Sequence, residues 1–397
     1  MLQAGLEGVV AARTRLSDVD GERGELIIGG FPLAELATNA RFEETAWLLW
    51  HGELPTASAL EIFTRSLASR RRLLPATRML LQEAARMNVT PMTALRMAIG
   101  TLPPSGRAHD GRPGGNEDAR PEDRPRPEEP AAILASAPTI VAAFWRLRAG
   151  VPPIDPRDDL SHAANFLYML SGQVPDDEQV RALDTYLNTV VDHGLNASTF
   201  TARVIASTGA DLVSAIVGAV GALAGPLHGG APGPALDMVF EIGDAARAEP
   251  VLRARLEAGG KLMGFGHRVY RVRDPRADVL GVAADRLFTR SGDMALYALA
   301  RRVEATAVRL LEEYKPGRRL QTNVEFYTAL LLHGLGLDVA LFTPTFAISR
   351  MAGWMAHVRE QREANRIIRP QSEYDGPRGR HWITVKERGT TVTTPLP

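Results

Sequence analysis

From Phe42 onward the apolar residues of this chain return at helical spacing, and no convincing alternation of apolar and polar residues follows residue 35. A repeat near 3.6 buries one stripe of a helix, whereas a repeat of two buries one face of a strand. Phe42, Ala46, Leu49 and Trp50 form the first stripe, with Asn39 as its expected N-cap. Further helices are expected over Ala57–Arg70, Pro75–Met87, Met92–Ile99, Ala131–Arg148, Asp158–Ser171, Asp176–Val191, Ala197–Thr208 and Leu212–Ala224. The expected fold class is therefore all-α. Only the first 35 residues differ: Asp18-Val19-Asp20-Gly21 lies between short apolar runs and predicts a small β-hairpin. That tetrapeptide resembles part of a calcium loop, but the later bidentate Glu is missing, so a metal site is not expected there.

A length of 397 residues exceeds what one compact core usually holds, so two domains, or one large domain with an added lobe, are expected. Lys+Arg and Asp+Glu balance at 46 each, which leaves no global field to draw in nucleic acid or an acidic membrane. With no Cys there is no disulfide, thiolate metal site or Cys nucleophile. The N-terminus is too polar for a signal peptide. The most apolar stretch, Leu212–Pro226, is interrupted by Ser214 and several Gly, and reads as a buried helix rather than a membrane span. A cytoplasmic protein is the default expectation. Residues Pro103–Pro130 hold seven Pro among mixed charges and almost no apolar side chains. Such a segment buries too little surface to order itself and reads as an exposed loop, with a lid as the alternative.

Four segments place reactive side chains at element boundaries. In Val191-Asp192-His193-Gly194-Leu195-Asn196-Ala197-Ser198 a helix ends near His193, and Asn196 or Ser198 can cap the next one. His193 then reads either as a ligand or as a C-terminal capping cation. In Gly225-Pro226-Leu227-His228-Gly229-Gly230 the imidazole sits in a bend before a helix expected at about Pro232. A helix N-terminus favours neutral imidazole, which can donate to a developing enolate oxygen; a loop His that caps backbone groups is the other reading. Gly264-Phe265-Gly266-His267 is followed by Arg268, Arg271, Arg273 and Arg276, an arrangement suited to an anion, although Arg268 and Arg273 read better as solvated. In Thr322-Asn323-Val324-Glu325-Phe326-Tyr327, Asn323 is an expected N-cap that puts Glu325 in the first helical turn. There it is either a base or a carboxylate complementing the helix dipole. The remaining His lack ligand spacing and no HExxH occurs, so no metal is expected.

GPLHGG, GFGHRVYRVRDPR, TNVEFY and FTPTFAISRMAGWMAHVREQ, in this order, resemble the citrate synthase family, and similarity runs from Gly5 to Pro377 outside the Pro-rich loop. The resemblance implies a two-domain helical fold with a large domain of residues 1–229 and 336–397 and a small domain of residues 230–335. Gly229-Gly230 would be the hinge of a cleft that oxaloacetate closes. It implies condensation of acetyl-coenzyme A with oxaloacetate and water to give citrate, with coenzyme A a substrate and no cofactor or metal needed. His228 would donate to the thioester oxygen, Glu325 would take the α-proton, and His267 would polarise the keto group. His193, Arg276 and Arg350 would hold oxaloacetate, and Arg369 would cross from the second subunit of a homodimer. Lys261, Leu262, Met263, Gly264, Phe265, Gly266 and Arg271 would contact coenzyme A.

Three departures stand out. Glu325 replaces the family's common Asp, a change that moves the carboxylate by up to about 1.5 Å. Pro232-Gly233 replaces Asn-Glu, and Gln371 replaces an Arg. The competing readings are a 2-methylcitrate synthase using propionyl-coenzyme A, a non-catalytic paralogue that binds coenzyme A or oxaloacetate, and a helical scaffold.

Overall fold

A computed structural model describes residues 4–103, 128–229, 232–267, 269–385 and 388. Sixteen α-helices and one small sheet make up the regular structure of the described residues. The sheet is antiparallel, in the order β1 (Ser17–Asp20), β2 (Glu25–Ile28), β3 (Phe31–Pro32), with Ser17 opposite Ile28 and Asp20 opposite Glu25. The expected hairpin thus gains a short third strand. Leu26 and Ile28 of β2 point inward and are buried, which anchors the sheet on the helical body.

The helices are α1 (Leu33–Asn39), α2 (Phe42–His51), α3 (Ala57–Ala68), α4 (Pro75–Arg86), α5 (Pro91–Ile99), α6 (Glu128–Arg148), α7 (His162–Ser171) and α8 (Asp177–Val190). They continue with α9 (Ala197–Ser207), α10 (Leu212–Leu223), α11 (Pro232–Ile242), α12 (Ala248–Glu257), α13 (Pro275–Ser291), α14 (Met294–Tyr314), α15 (Val324–Gly334) and α16 (Phe342–Glu363). Asn39 is not the N-cap of α2. It closes α1, a seven-residue helix too short to show a clear period, and its amide donates to the Glu35 carbonyl. Helix α7 starts four residues later than Asp158, because Ser161 caps it by accepting from Ala164 N. The Pro-rich segment lies outside the described residues except at its ends, and its last three residues, 128–130, already belong to α6.

Helix α16 is the axis of the body. From Phe342 to Val358 it is buried on nearly all sides, as a helix enclosed by others is, and it packs against α2, α5, α6, α8, α9 and α10. Helix α6 is long and apolar enough to cross a membrane, yet most of it is buried inside the protein against α4, α5, α7 and α16. A second group pairs α12 with α14 and sets α15 between α11 and α13. Helix α13 also touches α1 and α8, joining this group to the rest. The turns before α9, α11, α13 and α15 carry the polar residues that the sequence singles out.

Candidate active site

The turn Val191–Asn196 between α8 and α9 carries His193. Asn196 caps α9 by accepting from Thr199 N at 3.1 Å. One stripe of α16 holds this turn, at the i, i+3, i+4, i+7 spacing of a single helix face. Arg350 donates from Nε to the Val190 carbonyl at 2.7 Å, and Trp354 donates from its indole to Ser198 Oγ at 3.1 Å. His357 donates from Nε2 to Asp192 Oδ1 at 3.1 Å. A Cβ on Gly353 would stand 2.3 Å from the Val191 carbonyl oxygen, so only glycine lets the turn lie this close to the helix.

His193 is not a capping cation. Burial, then the Arg276 and Arg350 guanidinium groups, hold its imidazole well below the ordinary pKa. Its Nε2 lies 3.1 Å from the Tyr270 hydroxyl, and its ring meets that of His267 edge-on at 5.7 Å.

His228 follows α10, in a turn pinned by the Thr343 hydroxyl, which donates to the Gly229 carbonyl at 2.7 Å. Gly230, half of the expected hinge, lies outside the described residues. The N-terminus of α9 faces His228: Ser198 N donates to its Nε2 at 3.3 Å, and Ser198 Oγ lies 2.8 Å from the same nitrogen. A backbone N–H only donates, so Nε2 carries the lone pair and the ring proton sits on Nδ1. Burial and then Arg350 push this imidazole down to about 4, so it is neutral.

His267 has the opposite tautomer. Its Nδ1 accepts from Val269 N at 3.0 Å and Tyr270 N at 3.1 Å, which leaves the proton on Nε2. Arg276 Nη2 lies 3.2 Å from that Nε2, so two donors converge as an oxygen lone pair would need. Burial and then Arg276 lower His267 to about 4. Arg276 is itself gripped by Asp274, which accepts from its Nε at 3.0 Å and its Nη2 at 2.8 Å. The same carboxylate accepts from Val324 N at 3.1 Å, tying the guanidinium to the start of α15.

That start carries Glu325. Asn323 Oδ1 accepts from Glu325 N at 3.0 Å, while Asn323 Nδ2 and N donate to the Gly266 and Gly264 carbonyls. Burial pushes the Glu325 carboxyl up to about 7, although Arg276 pulls the other way. A carboxylate that merely complemented a helix dipole would shift down instead.

The segment Lys261–Gly266 runs beside residues 321–323, with Phe265 bridged to Thr322 and Gly264 and Gly266 at positive φ. Leu262 and Gly264 are buried, Met263 and Phe265 half-buried, and Lys261 and Arg271 exposed. Arg273 is not solvated: it is half-buried between Asp278 and Glu304, with Glu304 Oε1 at 2.6 Å. Arg268 lies outside the described residues. The tip of the β1–β2 hairpin backs this loop. Gly21 O accepts from Arg271 N at 2.9 Å, and a Cβ at Gly21 would strike the Val269 carbonyl oxygen at 2.2 Å.

The fold therefore gathers His193, His267, Arg276 and Glu325 into one electrostatic neighbourhood, and Arg350 joins them to His228. Arg369 stands exposed beyond α16, without a hydrogen bond or ion pair to these groups among the described residues. Asp192, Tyr270, Trp354 and His357 have no role legible in the sequence, and Ser198 only that of a candidate cap. For Trp354 and His357 the one visible signal is their helical spacing with Arg350 and Gly353. Among the described residues no group of three or more His, Asp or Glu is placed to hold a metal ion.

The profile of the family described as citrate synthase, C-terminal domain, matches residues 5–371. The chain is 39% identical to a citrate synthase of Haloferax volcanii over 98% of its own length and 99% of the relative's. It is 40% identical to a 2-methylcitrate synthase of Mycobacterium tuberculosis over 94% and 91%. Citrate synthase from Pyrobaculum aerophilum superposes with a TM-score of 0.87 at 38% identity, covering 97% of this chain and 95% of that one. Citrate synthase from Thermoplasma acidophilum, in ternary complex with carboxymethyl coenzyme A and oxaloacetate, gives 0.84 at 29% identity, over 98% and 100%. This is a helical acyltransferase fold with a polar site at the turns between its helices. The chain belongs to the citrate synthase family.

Proposed function

We propose that the chain condenses acetyl-coenzyme A with oxaloacetate and water to give citrate and coenzyme A, at the site built around His228, His267 and Glu325. Glu325, as carboxylate, takes a proton from the acyl methyl. A thioester methyl is a poor acid, so the forming enolate needs a donor at its oxygen as the proton leaves. The Nδ1–H of His228 is that donor. The enolate carbon attacks the keto carbon of oxaloacetate, whose oxygen takes the hydrogen bonds of His267 Nε2 and Arg276 and finally a proton from His267. Hydrolysis of the citryl thioester releases coenzyme A.

Oxaloacetate is a dianion, and the buried Arg276 and Arg350 suit its carboxylates. His193 adds a neutral contact. Arg369 is assigned to the partner's site in a homodimer, and the Lys261–Gly266 segment with Arg271 to coenzyme A. Residues 230–335 form the lobe that closes over the substrates, with residues 1–229 and 336–397 as the larger lobe. The observation that carries this reading is the pairing of two neutral imidazoles of opposite tautomer with a carboxyl raised to about 7 beside Arg276.

The test is thiol release from acetyl-coenzyme A with oxaloacetate present. Glu325→Gln is expected to lower kcat by about 10³-fold, the usual scale for losing a general base. Equal rates in both proteins would remove the base assignment, and no release by the wild type would remove the reaction. Propionyl-coenzyme A belongs in the same assay, since relatives of both names stand at nearly equal identity.

A further inference from the structure

We infer that His357 is a positioning residue for the oxaloacetate side of the site, acting through Asp192 on the turn that carries His193. This rests on the condensation reading. Asp192 and His357 are both wholly buried, at 0% exposure. Asp192 precedes His193 directly, and groups from two distant parts of the chain, together with the neighbouring Gly194 N, fix its carboxylate. Oδ1 accepts from His357 Nε2 at 3.1 Å; Oδ2 accepts from the Ser17 hydroxyl at 2.5 Å and from Gly194 N at 3.3 Å. Ser17 Oγ in turn accepts from Gly194 N at 2.9 Å, so the backbone on both sides of His193 is tied to one carboxylate–hydroxyl pair.

His357 is oriented from behind. Arg203 Nη1 lies 2.9 Å from its Nδ1, and since a guanidinium only donates, Nδ1 is the acceptor and Nε2–H must point at Asp192. Arg203 is held by Glu360 at 2.7 Å and by Gln361 at 3.2 Å, and Glu360 accepts from Arg15 N at 2.9 Å. The chain Arg15–Glu360–Arg203–His357–Asp192 therefore runs from the exposed Arg15 into the interior and ends on the residue next to His193. Adjacent Cα atoms are about 3.8 Å apart, so a shifted Asp192 carries His193 with it.

The experiment is steady-state kinetics of wild type, His357→Ala, His357→Gln and Ser17→Ala, with each substrate varied in turn and folding checked by circular dichroism. His357→Ala is expected to raise the oxaloacetate KM about 10-fold and lower kcat by a similar factor, the scale of a shift below 1 Å. The KM for acetyl-coenzyme A should stay within about twofold, because the relay ends on the oxaloacetate side. His357→Gln, which can still donate to Asp192 and accept from Arg203, should recover most of the loss. Ser17→Ala removes one of the carboxylate's donors without a large cavity and keeps the test sharp should His357→Ala fold poorly. It should raise the oxaloacetate KM about threefold.

A folded His357→Ala or Ser17→Ala protein with wild-type oxaloacetate KM would overturn the relay. So would a loss of kcat alone, which is what a merely structural role produces through a smaller active fraction. Wild-type turnover in the same assay reports on the condensation reading separately.

Discussion

The two sides of the site hold their arginines under opposite electrostatic conditions. On the loop side, Arg276 is wholly buried yet its pKa is raised, because Asp274 grips it with two hydrogen bonds and outweighs the cost of burial. On the α16 side, Arg350 is just as buried, and burial lowers it to about 10. Its hydrogen bond goes to the Val190 carbonyl and its face lies over the Phe346 ring at 4.5 Å, with no carboxylate in ion-pair contact among the described residues. One guanidinium has a carboxylate in contact; the other has only the longer-range charge of Asp192, which does not offset its burial. A dianion spanning both would meet a preset donor array at Arg276 and a cation at Arg350 that Asp192 compensates only in part.

Removing each arginine is the strongest way to break this contrast. Arg276→Met leaves Asp274 buried without its partner and is expected to cost about 3–5 kcal/mol of stability, read as the shift in urea unfolding. Arg350→Met removes a poorly compensated buried charge, so its unfolding midpoint should match or exceed that of the wild type, while on the proposed reading its oxaloacetate binding is lost. Equal destabilisation by the two changes would show that Arg350 is compensated after all.

Shortening the base probes the loop side next. The start of α15 is fixed by Asn323, Asp274 and the Phe265–Thr322 bridge, and a Cβ on Gly264 would already press on Phe326 at 3.0 Å. Such a mount cannot advance to meet a shorter side chain. Glu325→Asp should therefore lower kcat by about 100-fold. An unchanged kcat would mean that the mount yields.

pH separates the base from the imidazoles. As the proposed base Glu325 acts as the carboxylate, so kcat/KM should rise as pH increases through about 7 and level off above it. The stability effect has the opposite sign. A carboxyl raised from 4.5 to about 7 contributes stability that is complete below 4.5 and lost as pH rises to about 7. His228 and His267, lowered from 6.5 to about 4, contribute stability that is present above 6.5 and lost as pH falls toward 4. Unfolding midpoints against pH, for wild type and Glu325→Gln, should differ by the first slope alone.

A smaller effect is expected from Tyr270→Phe, which removes the hydroxyl 3.1 Å from His193. A single hydrogen bond is worth about 1 kcal/mol, so the oxaloacetate KM should rise roughly fivefold.

The same contrast decides what could be read from the sequence. The loop side was largely legible: Asn323 as a cap, Glu325 in the first turn and His267 among Gly and Arg are local signals, written within a few residues. Asp274, the cap before Pro275 at the start of α13, had such a signal too, but its grip on Arg276 and on α15 depends on two helix starts meeting in space. On the α16 side almost nothing is local. Asp192 meets His357, Ser17 and Arg350 only after the whole helical body has packed, and a buried helix without a polar face gives no period that points to a partner. The fold class was evident from helical spacing, whereas α1 was missed because seven residues make only two turns. Arg273 looked solvated because its partners, Asp278 and Glu304, lie on helices whose facing sides the sequence does not reveal.

The hairpin contact at Gly21 bears on how the protein is made. Arg271 is translated long after the turn it docks on, and the residues of α16 that clamp the His193 turn come later still. Pairings between such remote parts of a chain close slowly, since most of the loop entropy is spent before the contact returns anything. A nascent chain halted before α16 would have its first helices and its hairpin but no clamp for His193. Ribosome-bound fragments should therefore lack turnover until nearly the entire polypeptide has emerged.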